Sequence, residues 1–441
     1  MIKKSETKNK ERMLIVDLKE GKECFLEGWC FELRDLAKIK FILLRDYSGI
    51  VQCIIKDEKL FKKFSEITLE SVISIKGIAK KADVKSPEVS LHNIEIEILD
   101  LELINKAERL PIQVNEKGVT TGQEARLDNR FLDTRKRQIN AIFKIRSSIY
   151  KNLVDFFFNE EFVIINTPKI TTIGLESGAE SFMVDYFGKK TALAQSPQFY
   201  KQMFSMGGFE KVMEIGQVYR AEKSHTTRHL TEFTGVDFEM AFIKDENDIM
   251  EVIEKMMKYL ITNIKEERKE ELNLLKVNLK IPPKIPRISM SEIKKILVKH
   301  GKKLGEEDDL DAESEKLVGD YALKEFGSEF IFVTNYPFSK RPFYHMKPEN
   351  DKKGTRSFDL IFRGVEIATG AQREHRLDIL QKQAKEKNIK IPKIYEDIFR
   401  FGAAPHGGVG FGLDRITQRM LDLENIREAL LLPRDTERLT P

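Results

Sequence analysis

Residues Tyr219–Met240 read YRAEKSHTTRHLTEFTGVDFEM and combine a strand pattern with a dense set of charges. The segments Val212–Tyr219 and Val236–Phe242 alternate as half-buried strands do, and a polar run rich in Ser and Thr separates them. We therefore predict a hairpin with a long charged loop. Its guanidinium groups suit triphosphate oxygens and its rings suit a base, although the pattern also fits a surface hairpin of ion pairs without a ligand. Its charged and aromatic residues include Arg220, Glu222, Arg228, His229, Glu232, Phe233, Phe238 and Glu239.

A chain of 441 residues, 41% hydrophobic and 33% charged, is long enough for two or three domains. Its 75 basic and 71 acidic residues leave a net charge of only +4, so any nucleic-acid contact must come from local patches. No apolar run is long enough to cross a membrane and the start lacks a signal-peptide pattern, so we expect a cytoplasmic protein without a membrane partner. Cys24, Cys30 and Cys53 lack metal-binding spacing and are expected to be reduced, half-buried strand residues.

Residues 14–104 predict a small closed β-barrel of the oligonucleotide-binding (OB) type, preceded by a flexible tail, 1–13. Five β-rich runs and one helical stretch near Leu60–Ile67 are typical of this barrel. Exposed aromatic and polar strand residues on such a barrel would bind single-stranded nucleic acid, but Trp29 and Phe41 could equally fill the interior. The candidates for nucleic-acid contact are Trp29, Phe31, Arg34, Phe41 and Gln52.

A polar segment, 105–135, predicts a hinge before a second domain, 136–441. In that domain a helix is expected from Asn140, followed by a strand, FVIINTPKI, that ends at Pro168. A second amphipathic helix is predicted over Glu246–Glu266.

Two short motifs carry side chains suited to an amino acid. Glu176 lies in GLESGAESF, and Gln198 and Lys201 lie in AQSPQFYKQ. Glu and Gln can bind an ammonium group and Lys can bind a carboxylate, so the set suits a zwitterion.

The motif FRGVEIATGAQREHR contains further charged and hydroxyl groups. Glu366 and Thr369 offer oxygen ligands suited to Mg²⁺ that bridges phosphates. Arg373 is a bidentate partner for a carboxylate. Residues 270–345 mix short helical patterns with prolines and suggest no chemistry.

The run HGGVGFGLDR places four glycines before Arg415, and a helix is expected to begin near Leu413. Its glycines would let the backbone approach a ligand closely, and a glycine-rich turn without a ligand is the alternative. The run is not G-x-G-x-x-G, and no P-loop pattern occurs in the chain, so neither explains phosphate binding.

In this order the motifs resemble the three signature motifs of class II aminoacyl-tRNA synthetases. The first is the helix and strand ending at Pro168, the second is YRAE with its loop and Phe233, and the third is GFGLDR. The barrel resembles the anticodon-binding domain of the aspartate, asparagine and lysine subgroup, class IIb. Within it, LAQSPQFYKQ, YRAEKSHTTRHLTEF and GAQREHR are most similar to aspartyl-tRNA synthetases of the archaeal and eukaryotic type. The resemblance implies an α+β fold with an antiparallel catalytic sheet flanked by helices.

The resemblance also implies an AMP-forming aspartate–tRNA ligase, in which the aspartate α-carboxylate attacks the α-phosphorus of ATP and the aspartyl group then passes to the 3′ end of tRNA(Asp). Arg220, Glu366 and Arg415 are the implied catalytic residues, and Glu366 and Thr369 the implied Mg²⁺ ligands. The implied ATP-binding residues are Arg220, Ala221, Glu222, Arg228, His229, Leu230, Phe233, Glu366, Gly412, Leu413, Asp414 and Arg415. The implied aspartate-binding residues are Glu176, Gln198, Phe199, Tyr200, Lys201, Arg220, Asp237, Thr369 and Arg373. The implied anticodon-binding residues are Phe31, Arg34, Phe41, Gln52 and Pro87.

By the same resemblance we expect a homodimer formed through the Pro168 strand and its helix. Phe31 and Pro87 favour relaxed specificity, so that tRNA(Asn) would also be charged. Three alternatives remain open: an asparaginyl-tRNA synthetase, a tRNA-independent amide ligase of the asparagine synthetase type, and a non-enzymatic nucleic-acid adaptor.

Overall fold

The computed structural model describes residues 11–115, 120–172, 181–224 and 226–441, which divide into two compact units at Lys136/Arg137. Glu176 and the first ten residues of the predicted tail lie outside the described residues. No helix in the described part of the chain is both long and apolar enough to cross a membrane.

The first unit confirms the predicted five-stranded closed barrel. Strand β1 pairs antiparallel with both β2 and β4, and the parallel pair β3–β5 completes the ring in the order β1-β2-β3-β5-β4. The short helix α1 lies between β3 and β4, where the sequence predicts it. The elements are β1 (Glu23–Leu36), β2 (Ile39–Arg45), β3 (Ile50–Ile55), α1 (Phe61–Ser65), β4 (Val72–Lys81), β5 (Ile94–Asn105), α2 (Gln123–Asp128) and α3 (Arg130–Asp133).

Alternation along the strands decides which side chains fill the barrel. In β2, Ile42 and Leu44 are buried in the interior, so Phe41 lies on the outer face. Neither Trp29 nor Phe41 belongs to the buried interior cluster. The three cysteines do, and they are fully buried rather than half-buried, because each lies at an inward-facing strand position.

The second unit is an eight-stranded sheet with helices packed against it and a small three-stranded sheet beside it. The helices are α4 (Arg137–Asn159), α5 (Gln198–Phe204), α6 (Glu246–Glu267), α7 (Lys269–Leu274), α8 (Met290–Lys299), α9 (Ala312–Phe326), α10 (Leu377–Glu386), α11 (Lys393–Arg400) and α12 (Leu413–Met420). The strands are β6 (Val163–Ile164), β7 (Ile170–Thr171), β8 (Met183–Tyr186), β9 (Lys189–Leu193), β10 (Lys211–Tyr219), β11 (Glu232–Ala241), β12 (Arg287–Ser289), β13 (Phe330–Thr334), β14 (Ser357–Phe362), β15 (Val365–Arg373) and β16 (His406–Gly412).

The large sheet has the order β12-β13-β14-β15-β16-β11-β10-β6. Its six central strands are antiparallel as expected, but the edge strands β6 and β12 pair in parallel with β10 and β13. The predicted antiparallel sheet flanked by helices is therefore confirmed, with parallel pairing at its two edges. The predicted strand before Pro168 is also shorter than expected: β6 comprises Val163–Ile164, and one further hydrogen bond joins Ile165 N–H to the carbonyl of Met213.

Two long helices cover one face of this sheet. In α4, Ile142, Ile145 and Ile149 recur at helical spacing and are all buried, which explains why this segment is a helix that packs on the sheet. Helix α6 begins where Asp245 accepts a hydrogen bond from the backbone N–H of Asn247. Because one face is covered by these helices, the polar residues of the central strands are left on the other face.

Candidate active site

A cleft of about 520 Å³ lies over the polar face of the central strands. Side chains of β10, β11, β15 and β16 form its floor, and the Leu310–His345 region and the loop after β10 form its walls. The strand register places Asp237, Gly410, Thr369 and Asp359 side by side on four neighbouring strands. The sheet thus brings together groups that are far apart in the sequence.

Arg373 is the central cation at one end of the cleft. Its Nε and Nη2 donate to the two oxygens of Glu239 at 2.9 and 3.3 Å, Nη2 also donates to Gln198 Oε1 at 3.2 Å, and Nη1 lies 2.9 Å from His345 Nε2. Burial opposes the charged form, but Glu239 outweighs it and the pKa of Arg373 is raised. These contacts use four of the five N–H groups of a guanidinium, which leaves one at Nη1 for a ligand.

Lys201 lies beneath the cleft rather than in its wall. Its Nζ donates to Asp237 Oδ1 at 2.8 Å and to the carbonyl of Val409 at 2.9 Å, and Glu239 lies 3.7 Å away. The side chain is only 1% exposed. Lys201 therefore holds the two buried carboxylates in position, and a direct contact with substrate stays a prediction.

The glycines of β16 make room for those carboxylates. A Cβ at Gly408 would lie 2.1 Å from Glu239 Oε2, and one at Gly410 would lie 3.0 Å from Asp237 Oδ1. Any larger residue at position 408 would therefore displace Glu239. Close approach to a buried side chain, rather than to a ligand, explains Gly408.

Three arginines line the other end of the cleft: Arg220 and Arg228 from the loop after β10, and Arg415 from α12. The guanidinium carbon of Arg220 lies 5.3 Å from the centre of the Phe233 ring, and Arg415 Nη1 donates to the Glu366 carbonyl at 3.0 Å. Burial, and then Arg415, Arg228 and Arg220, lower the pKa of His229, so its ring is neutral near pH 7. A neutral histidine surrounded by arginines indicates a site for an anion such as a polyphosphate.

Glu315 connects two parts of this region. Its Oε2 accepts a hydrogen bond from Arg228 Nη1 at 2.8 Å and another from the backbone N–H of Glu366 at 2.9 Å. Burial raises the pKa of the Glu315 carboxyl, while Arg228 favours its ionised form. Glu315 thereby links the charged loop to the start of β15.

The oxygen donors of the cleft fit a divalent cation. Thr369 Oγ1 lies 3.3 Å from Glu366 Oε1, and Asp359, opposite Thr369 in the sheet, has a buried Oδ1 without a hydrogen-bond partner among the described residues. The other oxygen of Asp359 accepts from Arg341. Carboxylate and hydroxyl oxygens are ligands that Mg²⁺ accepts. The described residues contain no cluster of three or more His, Cys, Asp or Glu side chains that could hold a metal ion, so ligands from substrate would have to complete its shell.

The remaining predicted residues divide between the cleft and its supports. Glu222, Leu230 and Gly412 line the cleft. Asp414 accepts hydrogen bonds from Arg146 and from the backbone N–H of Thr234. Four predicted residues do not line the cleft: Ala221, Phe199, Tyr200 and Leu413. Phe199 and Leu413 pack in buried clusters, and the Tyr200 hydroxyl forms a hydrogen bond with that of Thr171.

Sequence patterns do not identify four residues in or next to the cleft. Glu315, Arg341 and His345 line it and lie in the stretch 270–345, for which the sequence suggests no chemistry, and Asp359 lies in β14 opposite Thr369. No motif marks these residues. The one local signal is a charged side chain within an apolar strand, as for Asp359 in SFDLIF.

The barrel carries its candidate residues on the outside. Phe41 and Gln52 are half-buried on the outer face, and Gln52 Nε2 donates to Glu95 at 3.0 Å. Arg34 is exposed and donates to Glu32, and Pro87 is exposed in the β4–β5 connection. Phe31 differs, because it is buried in a small cluster that includes Leu43, Val84 and Val89.

Comparison with known proteins identifies the family. Residues 122–436 match the family of class II tRNA synthetases (D, K and N), and residues 25–99 match the OB-fold nucleic acid binding domain. The aspartate–tRNA(Asp/Asn) ligase of Aeropyrum pernix is 42% identical over 94% of this chain and 94% of that protein. The aspartate–tRNA(Asp) ligase of Pyrococcus abyssi is 42% identical over 96% of this chain and 97% of that protein.

Solved structures agree with this assignment. The asparaginyl-tRNA synthetase of Pyrococcus horikoshii, solved with asparaginyl-adenylate, superposes with a TM-score of 0.90 at 32% identity, over 98% of this chain and 100% of that one. An aspartyl-tRNA synthetase of Entamoeba histolytica superposes with a TM-score of 0.89 at 31% identity, over 98% of this chain and 93% of that one. The chain therefore belongs to the class II tRNA synthetases of the D, K and N family.

Proposed function

We propose that this chain is an aspartate–tRNA ligase that activates L-aspartate with ATP and transfers it to tRNA(Asp). The observation that carries the proposal is the buried Arg373, held by Glu239 and Gln198 with one N–H group left for a ligand. A side-chain carboxylate satisfies that group, whereas an asparagine amide would present a donor to it or pair more weakly. Relatives named aspartate–tRNA ligases at 42% identity support the same substrate.

Aspartate would bind across the Asp237–Arg373 end of the cleft. Asp237 offers a carboxylate to the substrate ammonium, with Lys201 fixing its orientation through a 2.8 Å hydrogen bond. Gln198 has a buried Nε2 without a partner among the described residues, so it can donate to a substrate oxygen. The predicted contact of Glu176 with the ammonium group remains part of the proposal.

ATP would bind at the arginine-rich end. Arg220 would neutralise charge that develops on the α-phosphate, and Arg228 would bind the outer phosphates. The adenine would stack between Phe233 and Arg415. Glu366 and Thr369, with the free oxygen of Asp359, would hold Mg²⁺, which screens the negative charge of the triphosphate when bound.

The reaction then needs positioning more than a general base, because the α-carboxylate is already a nucleophile. Arg373 and Asp237 would hold the amino acid by its side chain and ammonium group. Arg220 would hold the α-phosphate against it.

tRNA would be recognised through the outer face of the barrel. Phe41 offers a ring for stacking and Gln52 an amide for hydrogen bonding to an unstacked base. Charging of tRNA(Asn) is the second candidate activity. It is favoured by Phe31 and by Pro87, which lies in the chain between Val84 and Val89 of the Phe31 cluster, and by the Aeropyrum pernix relative, which is named for both tRNAs and is 42% identical.

We further infer a homodimer. Strand β6 is an edge strand of the large sheet, and Val163, Ile164, Ile170 and Phe158 near it are exposed apolar side chains. An exposed apolar sheet edge is a surface that a second copy can cover in a symmetric interface. Sedimentation equilibrium would report twice the chain mass, and a monomer at all concentrations would contradict this inference.

Two assays test the catalytic proposal. Pyrophosphate exchange should depend on aspartate, and not on asparagine, without any tRNA; exchange driven only by asparagine would identify an asparaginyl enzyme. Aminoacylation with aspartate and separate tRNA(Asp) and tRNA(Asn) should charge the first. Charging of tRNA(Asn) would establish relaxed specificity, and ammonia-dependent amide formation without tRNA charging would refute the proposal.

A further inference from the structure

His345 lies in the segment before β14 and is only 2% exposed. Its backbone is fixed beside Arg373 by an isolated bridge between the two residues and by the hydrogen bond from Met346 N–H to the carbonyl of Gln372. Gln383 also donates to the carbonyl of His345 at 3.0 Å. The ring is thus held at the wall of the cleft by contacts that do not involve a ligand.

The contact with Arg373 determines the protonation of the ring. Guanidinium nitrogens only donate, so the Nε2 of His345, 2.9 Å from Arg373 Nη1, must be the acceptor. The ring is therefore neutral and carries its proton on Nδ1. Burial, and then Arg373 and Arg341, lower the pKa of His345 well below its ordinary value, which agrees with a neutral ring.

We propose that His345 is a specificity-determining positioning residue, which acts by fixing Nη1 of Arg373 toward the side-chain carboxylate of the amino-acid substrate. The inference rests on the proposed aspartate activity. Glu239 binds the Nε side of the guanidinium and Gln198 binds Nη2, so His345 alone among the described residues holds Nη1. His345 is thus the third contact that holds the planar guanidinium, and in that orientation the second Nη1 hydrogen has a single direction.

This arrangement distinguishes a carboxylate from a carboxamide. A carboxylate offers Nη1–H an acceptor whichever way it turns and adds a charge complementary to the guanidinium, whereas a carboxamide must present its one oxygen there and direct its NH₂ elsewhere. If His345 no longer accepted, the whole guanidinium could tilt about its contacts with Glu239 and Gln198, and the contrast between the two side chains would weaken.

The test compares His345→Leu, which removes the acceptor, with His345→Gln, whose Oε1 can occupy the position of Nε2. Pyrophosphate exchange gives KM for aspartate, KM for ATP and kcat, and the activity with asparagine. We expect His345→Leu to raise KM for aspartate about tenfold and to lower the aspartate-to-asparagine preference by a similar factor, since a hydrogen bond to a charged group is lost. KM for ATP should stay within about twofold, and His345→Gln should stay within about threefold of the wild type.

His300→Leu is the matched control, because His300 is exposed at the end of α8, and it should leave every constant unchanged. Unaltered aspartate KM in His345→Leu, or equal losses in the Leu and Gln variants, would overturn the role of His345. If His345→Leu does not fold, His345→Met supplies the same comparison with a flexible side chain. A wild type that activates asparagine and not aspartate would instead refute the proposed function.

Discussion

Glu239 receives two hydrogen bonds from Arg373, with Arg373 Nε 2.9 Å from Glu239 Oε1 and neither side chain more than 2% exposed. The same carboxylate lies 3.7 Å from Lys201 Nζ, and both cations lower its pKa against the effect of burial. Because a buried charge without a partner is costly, this pair serves both the fold and the orientation of Arg373.

Replacing Arg373 by Leu should abolish aspartate activation while ATP binding is retained. Among the described residues the variant leaves the buried Glu239 with Lys201 as its remaining ion-pair partner, and it should lose about 3–5 kcal/mol of stability. Adding Glu239→Gln should recover part of that stability but not the activity. Pyrophosphate exchange, ATP-induced thermal shift and urea unfolding measure the three effects. Normal aspartate turnover in Arg373→Leu would remove this residue from the substrate site.

Replacing Glu315 by Gln should weaken ATP binding. The ion pair that holds Arg228 beside Glu366 is lost, and we expect KM for ATP to rise about tenfold with KM for aspartate within about twofold. Glu313→Gln is the matched control, since Glu313 lies on the same helix and pairs with Lys302 at the surface. Equal effects of the two variants on KM for ATP would contradict the link through Glu315.

Replacing Phe41 by Ala should separate the two half-reactions. Loss of a stacking ring costs about 1–3 kcal/mol per base, so aminoacylation of tRNA(Asp) should fall at least about fivefold in kcat/KM. Aspartate-dependent pyrophosphate exchange, which needs no tRNA, should be unchanged. Tyr47→Ala, at an exposed ring in the β2–β3 turn, is the control. A fall in pyrophosphate exchange would show that Phe41 acts on folding rather than on tRNA.

The second unit should lose stability below pH 6.5 because of His406. Burial is the main cause that lowers the pKa of His406 to about 4 in the folded chain, so between pH 4 and 6.5 the unfolded chain binds one more proton. Stability contributed by the neutral ring is thus present above pH 6.5 and falls with pH, by about 2 kcal/mol at pH 5.

His406→Gln removes this titration. The free energy of unfolding of wild type and variant is measured in urea by circular dichroism at pH 7 and at pH 5. The difference between the two proteins isolates the effect of His406 from that of other groups. Glu315 is one such group, because its raised pKa changes stability with pH in the opposite direction. An identical pH dependence in the two proteins would contradict the assignment.

Much of the fold is predictable because it is encoded locally. The alternation in β10 and β11 and the helical spacing in α4 and α6 predict these elements to within a few residues. The parallel edge strands were missed, because Val163–Ile164 and Arg287–Ser289 are too short for a period to be recognised and their direction depends on the route of the chain.

The candidate site was predictable only in part for a similar reason. Arg220, Glu366 and Arg415 stand in motifs with a recognisable order, whereas Glu315 and His345 have no motif around them. The contacts of Lys201 are equally non-local: its Nζ donates to Asp237 and to the carbonyl of Val409, which lies 208 residues away in the sequence.

The sequence by itself determined the barrel, the long central strands and the family, because periodicity and short motifs depend on neighbouring residues. Only the tertiary structure decided what surrounds Arg373: Glu239 lies 134 residues away and His345 lies 28 residues away. Such contacts follow from sheet register, in which a shift of one residue would turn each side chain to the opposite face. They also follow from a glycine at position 408 that leaves space for the Glu239 carboxylate.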